Sequence, residues 1–147
     1  MISYLFMKPE HVSQVAELEK LCFTTPWSER SIFAELTNPL SLWLVAVSGD
    51  HVVGYVGSQS VLDEADMMNI AVRPEFRRMG IAQGLVTALC DRLQERQVRS
   101  LALEVRASNE PAKALYEKLG FSQVGRRSNY YRAPREDALI LRKEWQI

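Results

Sequence analysis

Residues 69–83 read Asn-Ile-Ala-Val-Arg-Pro-Glu-Phe-Arg-Arg-Met-Gly-Ile-Ala-Gln. The apolar run that closes at Val72 predicts a buried strand over residues 67–72. Arg73-Pro74 ends this strand, because proline offers no N–H to a ladder and restricts the residue before it. A polar loop follows, and beyond Gly80 the apolar residues recur with a helical period. Strand, glycine-bearing loop and helix N-terminus together place several backbone N–H groups in one concavity.

This stretch predicts a cradle for a phosphate or pyrophosphate. The helix dipole adds partial positive charge at the helix N-terminus. Arg77 and Arg78 supply mobile charge beside it, and Gly80 and Ala82 keep side chains away from the ligand. The pattern lacks the glycines and lysine of a P-loop and the three glycines of a dinucleotide fold. A plain strand-to-helix turn with two solvated arginines is the alternative.

Composition limits the classes to which the chain can belong. Its 147 residues are 47% hydrophobic and 24% charged, which predicts an ordered single domain over residues 1–147. The formal net charge of zero argues against a nucleic-acid partner. Cys22 and Cys90 lie in helical patterns, and no Cys/His cluster has metal-ligand spacing, so we expect neither disulfide nor metal. The N-terminus lacks a signal-peptide pattern and no apolar run reaches membrane-spanning length, so we expect a cytoplasmic protein without a membrane partner.

Periodicity along the chain predicts an α/β fold with a mixed sheet. Strands are expected at residues 2–7, 42–47, 51–62, 67–72, 101–106, 121–127 and 137–142. Helices are expected at residues 10–23 and 28–36, after Gly80, and from the cap Ser108-Asn109 to Gly120. The first helix turns Val12, Val15, Ala16, Leu18, Leu21 and Cys22 toward a core. Residues 63–66 predict a solvated acidic turn, with steering of a basic peptide as the alternative.

Two side chains in these elements could do chemistry. The period of two in Leu101–Val105 puts Glu104 on the opposite face from Leu103, and a carboxylate in an apolar strand costs free energy unless it is paired or solvated. A strand-end glutamate that pairs with Arg106 or meets solvent is the alternative. Tyr116 lies on a helix face with Ala112, so it could equally be a core tyrosine with a satisfied hydroxyl.

Two motifs resemble the GNAT superfamily of N-acetyltransferases. One is Arg77-x-x-Gly80-x-Ala82. The other is Asn109-x-x-Ala112-x-x-Leu115-Tyr116-x-x-Leu119-Gly120-Phe121. The resemblance implies the GNAT fold, in which helices flank a mixed central sheet with splayed central strands, and it implies acetyl-CoA as co-substrate. The cofactor-binding residues it implies are Ile70, Ala71, Val72, Arg77, Arg78, Met79, Gly80, Ile81, Ala82, Gln83 and Asn109.

The same resemblance implies a mechanism. Glu104 is the general base, acting through a water on the incoming ammonium, and Tyr116 is the general acid that meets the departing thiolate. A tyrosine of pKa ~10 donating to a thiolate of ~8.5 is uphill by about 2 kcal/mol. Tyr116 therefore acts as an acid only if the pair is tuned, and otherwise as a hydrogen-bond donor.

Further segments, above all Leu103–Asn109, resemble the branch that acetylates the N-terminal alanine of small-subunit ribosomal protein eighteen. A protein N-terminus is then the acceptor, and Trp27, Tyr130 and Tyr131 border its site. A plain aromatic hairpin tip is the alternative for the two tyrosines. The basic turn 132–135 fits a basic peptide poorly. Acetylation of small amines or polyamines and a non-catalytic CoA-binding module are the competing functions. The oligomeric state is left open, and a monomer is compatible with the sequence.

Overall fold

The computed structural model describes residues 1–132 and 134–145. Within them, seven strands form one sheet in the order β1-β2-β3-β4-β5-β7-β6. The strands are β1 Ser3–Phe6, β2 Ser41–Ser48, β3 His51–Val61, β4 Glu64–Val72, β5 Ser100–Arg106, β6 Ser122–Arg132 and β7 Arg135–Glu144. The helices are α1 Val12–Cys22, α2 Glu29–Glu35, α3 Ile81–Glu95 and α4 Glu110–Lys118. No helix in these residues is long and apolar enough to cross a membrane.

The two central strands, β4 and β5, separate along their length. They pair in parallel over only three positions, from Glu64 opposite Ser100 to Asp66 opposite Ala102. Beyond that point β4 stays paired with β3 and β5 stays paired with β7, all antiparallel. The prediction of a mixed sheet with splayed central strands and flanking helices is confirmed.

A β-bulge in β4 lies where the strands part. Gly57 of β3 pairs with Asn69 and Ser58 pairs with Met67, so Met68 is the extra residue. A bulge bends its strand and increases the local twist. The second half of β4 therefore turns away from β5.

Helices cover both faces of the sheet. On one face α3 and α4 pack on the sheet through residues such as Leu85, Leu89 and Tyr116. On the other face α1 and α2 pack through Leu18 and Ile32. The alternation expected along β5 is present, because Leu103 and Val105 join the α3/α4 core while Glu104 is half-buried on the opposite face. Each face of the gap between β4 and β5 thus has its own set of elements.

Polar residues and glycines cap four of the helix termini. Ser28 accepts a hydrogen bond from the Ser31 N–H at 3.0 Å at the start of α2. Asn109 accepts one from the Ala112 N–H at 3.2 Å at the start of α4. Gly80 before α3 and Gly120 after α4 have φ of 78° and 95°, the left-handed region that glycine adopts without strain.

The predicted acidic turn at residues 63–66 is wrong in extent. β4 begins at Glu64, and the turn is limited to Leu62 and Asp63. Ala65 is buried, and Glu64 binds the Arg142 guanidinium at 2.8 Å. Glu64 and Asp66 therefore belong to a strand, because antiparallel pairing with β3 and parallel pairing with β5 extend β4 toward its N-terminus.

The predicted end of β6 is wrong. β6 continues to Arg132, five residues beyond that end, and Tyr130 and Tyr131 lie in the last residues of the strand, close to the hairpin turn. The register shifts between Arg127 and Tyr131, and Asn129 has φ of 53° within this bulge. The turn predicted at residues 132–135 includes Ala133, which lies outside the described residues.

Candidate active site

The loop before α3 has the geometry of an anion cradle. Gly80 is the N-cap of α3, and a Cβ built there meets nothing within 4 Å, so the space in front of the helix is open. The first N–H groups of an α-helix have no intrahelical acceptor, here those of Ile81, Ala82 and Gln83. These donors and the positive end of a 15-residue helix face the same opening.

The two arginines of this loop, Arg77 and Arg78, differ in the contacts of their side chains. Arg77 was expected to be mobile, but its Nε donates to the Val72 carbonyl at 3.2 Å and its Nη2 to the Cys22 sulfur at 3.7 Å. It ties the end of β4 to α1. Arg78 is exposed and has φ of 65°. Arg78 is therefore the better-placed cation for a phosphate at the cradle, beside the exposed Met79.

The second half of β4 presents an open backbone edge to the gap. Ile70, Ala71 and Val72 pair with β3 on one side only. On their other side the parallel pairing with β5 has already ended. An extended ligand that carries amide groups can pair with such an edge as an added strand does.

Tyr116 lies at the point where β4 and β5 part, on the α3/α4 face. Its side chain is 4% exposed and packs edge-on against Phe121, with ring centroids 5.3 Å apart. Its hydroxyl donates to the Met67 sulfur at 3.7 Å. Burial raises the pKa of Tyr116 to about 12. The phenol is thus a neutral donor aimed at a sulfur atom.

Glu104 lies on the other face of the same gap. Its carboxylate pairs with Arg127 of β6, with Nε and Oε2 3.5 Å apart. Oε2 is buried and accepts no hydrogen bond. The paired-glutamate alternative named Arg106 as the partner; Arg106 instead contacts Glu136 at 3.4 Å and lies over the Tyr131 ring at 4.2 Å. Glu104 therefore carries an acceptor atom that the protein leaves unfilled.

Tyr130 and Tyr131 stand beside this carboxylate. Their rings meet edge-on at 5.1 Å, and the Arg127 guanidinium lies over Tyr130 at 5.6 Å. Burial, followed by the charge of Glu104, raises the pKa of Tyr131. The structure thus brings the candidate base and these two candidate substrate-site residues into one cluster.

Trp27 is held in the loop between α1 and α2 by a carboxylate. Its backbone N–H donates to Glu19 Oε1 at 2.7 Å. Its ring packs edge-on against the Trp43 ring, with the centroids 5.4 Å apart. The other Glu19 oxygen accepts from the Tyr55 hydroxyl and from Asn69 Nδ2, the latter at 2.8 Å. Glu19 joins the loop to β3 and to the bulged part of β4.

Glu19 is a buried residue that was not predicted. Leu21, which was predicted on the buried face of α1, is 58% exposed, whereas Glu19 is fully buried. The signal was present, because Glu19 lies four residues after the buried Val15, on the same helix face. Burial raises the pKa of Glu19, against the opposing effect of its hydrogen bonds.

Asn109 has a structural task in addition to its predicted place near a cofactor. Its side-chain oxygen caps α4 and so fixes the start of the helix that carries Tyr116. The arrangement as a whole has an anion cradle and a phenol on one face of the gap. On the other face it has a carboxylate and aromatic side chains.

The chain resembles known acetyltransferases over nearly its whole length. A profile described as the acetyltransferase (GNAT) family matches residues 12–121. The ribosomal protein bS18-alanine N-acetyltransferase of Salmonella typhimurium is 42% identical over 127 residues, 85% of each chain. The protein of that name from Haemophilus influenzae is 38% identical over 131 residues, 85% of this chain and 86% of that one.

A solved structure shows the same likeness in three dimensions. It is the crystal structure of the ribosomal-protein-S18-alanine N-acetyltransferase from Escherichia coli, which superposes with a TM-score of 0.90 at 36% identity. The superposition covers 100% of this chain and 96% of the other.

Proposed function

The chain belongs to the acetyltransferase (GNAT) family, and from this premise we propose that it acetylates the N-terminal alanine of ribosomal protein bS18. Relatives that carry that activity in their names match it at about 40% identity over most of its length. One structural observation carries the proposal: across the gap from the anion cradle, Glu104 presents a buried oxygen without a hydrogen-bond partner. The reaction is placed in the cytoplasm, where ribosomal proteins are made.

Acetyl-CoA fits the α3/α4 face. The loop Arg77–Gln83 would hold the pyrophosphate through its backbone N–H groups, and the open edge of Ile70–Val72 would pair with the pantetheine amides. Asn109 would border the cofactor from the start of α4. When bound, acetyl-CoA supplies an acetyl thioester whose sulfur leaves as the new amide bond forms. No metal takes part in this proposal.

Glu104 prepares the acceptor on the opposite face. It takes one proton from the terminal ammonium, through a water molecule, and this frees the nitrogen lone pair to form the C–N bond. Its unfilled Oε2 is the acceptor for that hydrogen bond. As the C–N bond forms and the C–S bond breaks, the nitrogen loses a second proton, because an ammonium carries three protons and the amide keeps one. The first proton stays with Glu104, and the second passes through the water molecule to solvent.

Tyr116 meets the charge that develops on sulfur. With its pKa raised to about 12, full transfer of its proton to a thiolate of ~8.5 is uphill by ~3.5 units, roughly 5 kcal/mol. The phenol therefore stabilises the thiolate as a hydrogen-bond donor. Its contact with the Met67 sulfur has the same donor and the same kind of acceptor.

The lower pKa of an α-ammonium favours it over a lysine ammonium as the acceptor. An α-amino group titrates near ~8 and lysine near ~10.4, so the free base of lysine costs ~3.3 kcal/mol more at neutral pH. The two histidines of the chain lie in other elements than Glu104. His11 accepts a hydrogen bond from the Lys8 N–H at 3.0 Å, and His51 begins β3. A single glutamate with a water is sufficient for the α-amine.

The experiment offers three acceptors with acetyl-CoA and locates the acetyl group by mass spectrometry. They are a peptide beginning Ala-Arg-Tyr, the same peptide with a blocked N-terminus and one lysine, and spermidine. We expect acetylation of the free N-terminus only, and Glu104→Gln should lower that rate ~10²–10⁴-fold. Transfer to the blocked peptide's lysine, or to spermidine in preference to the free N-terminus, would favour the small-amine function. Binding of CoA without transfer to any acceptor would favour the non-catalytic module.

A further inference from the structure

Arg127 holds the candidate base in a contact that is electrostatic but not hydrogen-bonded. The Arg127 guanidinium balances the charge of Glu104, with Nε 3.5 Å from Oε2. Oε2 is nevertheless buried and accepts no hydrogen bond. An ammonium has three N–H donors, and one of them can reach Oε2 through the bridging water of the proposed reaction. The ammonium and its water can therefore provide the hydrogen bond that the guanidinium does not.

The backbone under Arg127 is fixed, but its side chain is not enclosed. Arg127 is paired in register with Ala138, and the bulge that follows it is held by the Asn129 N–H donating to Asp137 at 2.8 Å. The Arg127 side chain is 56% exposed. It already lies 5.6 Å from the centroid of the exposed Tyr130 ring. A stacked position away from Glu104 is thus within reach without any movement of β6.

The charges around Glu104 favour movement of the Arg127 side chain away from it when a cationic acceptor binds. Arg106 and Glu136 form one ion pair at 3.4 Å, and Arg127 and Glu104 form the next. A terminal ammonium brings another positive charge to the same carboxylate. Because like charges on one site repel, the ammonium and Arg127 compete for Glu104.

We propose that Arg127 is a positioning residue that occupies Glu104 in the free enzyme and is displaced by the acceptor's terminal ammonium. An acceptor must then offset the lost Arg127–Glu104 pair with contacts of its own. A peptide chain can make them with Trp27, Tyr130 and Tyr131, whereas a bare amine cannot. Arg127 therefore adds the same cost to every acceptor, and only an acceptor that makes contacts beyond its amine binds well despite that cost. This inference rests on the proposed function, since it takes an α-amine as the acceptor.

The test compares Arg127→Ala with a neighbouring control, Arg126→Ala. Arg126 is almost equally exposed, at 55%, but its Nε binds Asp137 at 2.6 Å. The acceptors are the Ala-Arg-Tyr peptide and L-alaninamide, which has the same α-amine and side chain but no peptide beyond them. In Arg127→Ala we expect KM for both acceptors to fall by a similar factor, about 3- to 10-fold, because each displaces the same side chain, with kcat for the peptide within about 2-fold of wild type. Arg126→Ala should match wild type with both acceptors.

Two results would overturn the inference. If Arg127→Ala lowers kcat equally for both acceptors at unchanged KM, Arg127 orients Glu104 during the reaction and is not displaced. If it behaves like Arg126→Ala, the acceptor does not displace Arg127. Arg127→Lys keeps a positive charge at this position and should keep KM for both acceptors closer to wild type than Arg127→Ala does.

Calorimetry separates this inference from the proposed function. The peptide with a free N-terminus should bind Arg127→Ala more tightly than wild type, whether or not it is acetylated. Equal affinity contradicts the displacement of Arg127. Turnover of neither acceptor by the wild-type enzyme contradicts the proposed function, and the affinity comparison then still decides the competition at Glu104.

Discussion

Tyr116 combines a buried phenol with a sulfur neighbour, and this environment decides what the residue can do. Packing by Phe121 and the α3/α4 core leaves the side chain 4% exposed, and the hydroxyl contacts the Met67 sulfur. Removal from water disfavours the phenolate, so the pKa rises to about 12. The residue keeps its proton under all physiological conditions and can donate a hydrogen bond throughout a reaction.

That burial predicts a change of stability with alkaline pH. The folded-state pKa of about 12 lies above the unfolded value near ~10, so the stabilising effect of the neutral phenol is complete below pH ~10. It is lost as pH rises toward ~12, by roughly 3 kcal/mol in total. In Tyr116→Phe this loss should be absent. Urea unfolding at pH ~9.5 and ~11.5 measures the difference for each protein.

Cys90 provides the comparison for this measurement. Its thiol is buried in the same core, and burial raises its pKa to about 11. Cys90→Ala should therefore remove a loss that occurs at lower pH, between ~8.5 and ~11. An unfolding free energy of Tyr116→Phe that falls with pH as steeply as that of wild type would show that the phenol is not buried in solution.

The sequence predicted the identity of the two candidate catalytic residues but not their partners. The period of two along β5 was enough to put Glu104 on the face away from the α3/α4 core. Its ion pair with Arg127 could not be predicted, because that contact depends on β7 lying between β5 and β6 and on the register of those pairs. A motif within one segment carries no information about the order of the strands in the sheet or the register in which they pair.

At the level of elements, Glu19 links α1, the α1–α2 loop, β3 and β4 through one buried carboxylate. Three donors converge on its two oxygens: the Trp27 N–H, the Tyr55 hydroxyl and the Asn69 amide. Asn69 is next to the bulged residue Met68, and Trp27 is in the α1–α2 loop. A single side chain therefore fixes that loop to the bulged part of β4.

Glu19→Gln should loosen this junction. A glutamine has one acceptor oxygen and one NH₂ donor, so it cannot accept from both the Trp27 N–H and the Asn69 amide. One buried donor then loses its partner, at a cost of about 1–3 kcal/mol. Urea unfolding should show this loss, and Trp27 should become more accessible to a fluorescence quencher.

Glu17→Gln is the matched control on the same helix. Glu17 is 60% exposed and binds Arg73 at 3.0 Å, and a surface ion pair is worth ~0–1 kcal/mol. An equal effect of the two substitutions would show that the Glu19 hydrogen bonds add nothing beyond a surface pair.

Most elements were predictable from local signals, and the errors lie where strand pairing decides the end of an element. Caps at Ser28, Asn109 and Gly120 placed helix boundaries well, because a cap is a contact within a few residues. The start of β4 was misplaced because pairing with β3 and β5 extends it, and the end of β6 was misplaced because pairing with β7 continues across a bulge. Polar residues occupy both ends, so hydrophobic periodicity does not show how far the pairing runs.

For the whole molecule, the gap between β4 and β5 is the feature that connects the two faces. The alternation of strands and helices predicted a mixed sheet, but the splay was implied only by the family resemblance. In the structure it follows from two pairing facts, the three-residue contact of β4 with β5 and the bulge at Met68. The cradle and Tyr116 lie on the α3/α4 face, and Glu104 with its aromatic neighbours lies on the α1/α2 face. The acetyl donor and the amine that accepts the acetyl group can therefore approach the gap from opposite faces.

This arrangement predicts separate footprints for the two ligands in amide hydrogen exchange. CoA should slow exchange at Ile70–Val72 and at residues 80–83, because its amides and pyrophosphate would take the open β4 edge and the first N–H groups of α3. The Ala-Arg-Tyr peptide should slow exchange in residues 23–28 and 128–132 instead, where Trp27, Tyr130 and Tyr131 lie. β1, at the far edge of the sheet, is the internal control and should be unchanged by either ligand. Protection of the same segments by both ligands would contradict entry from opposite faces, because it would require one shared binding surface.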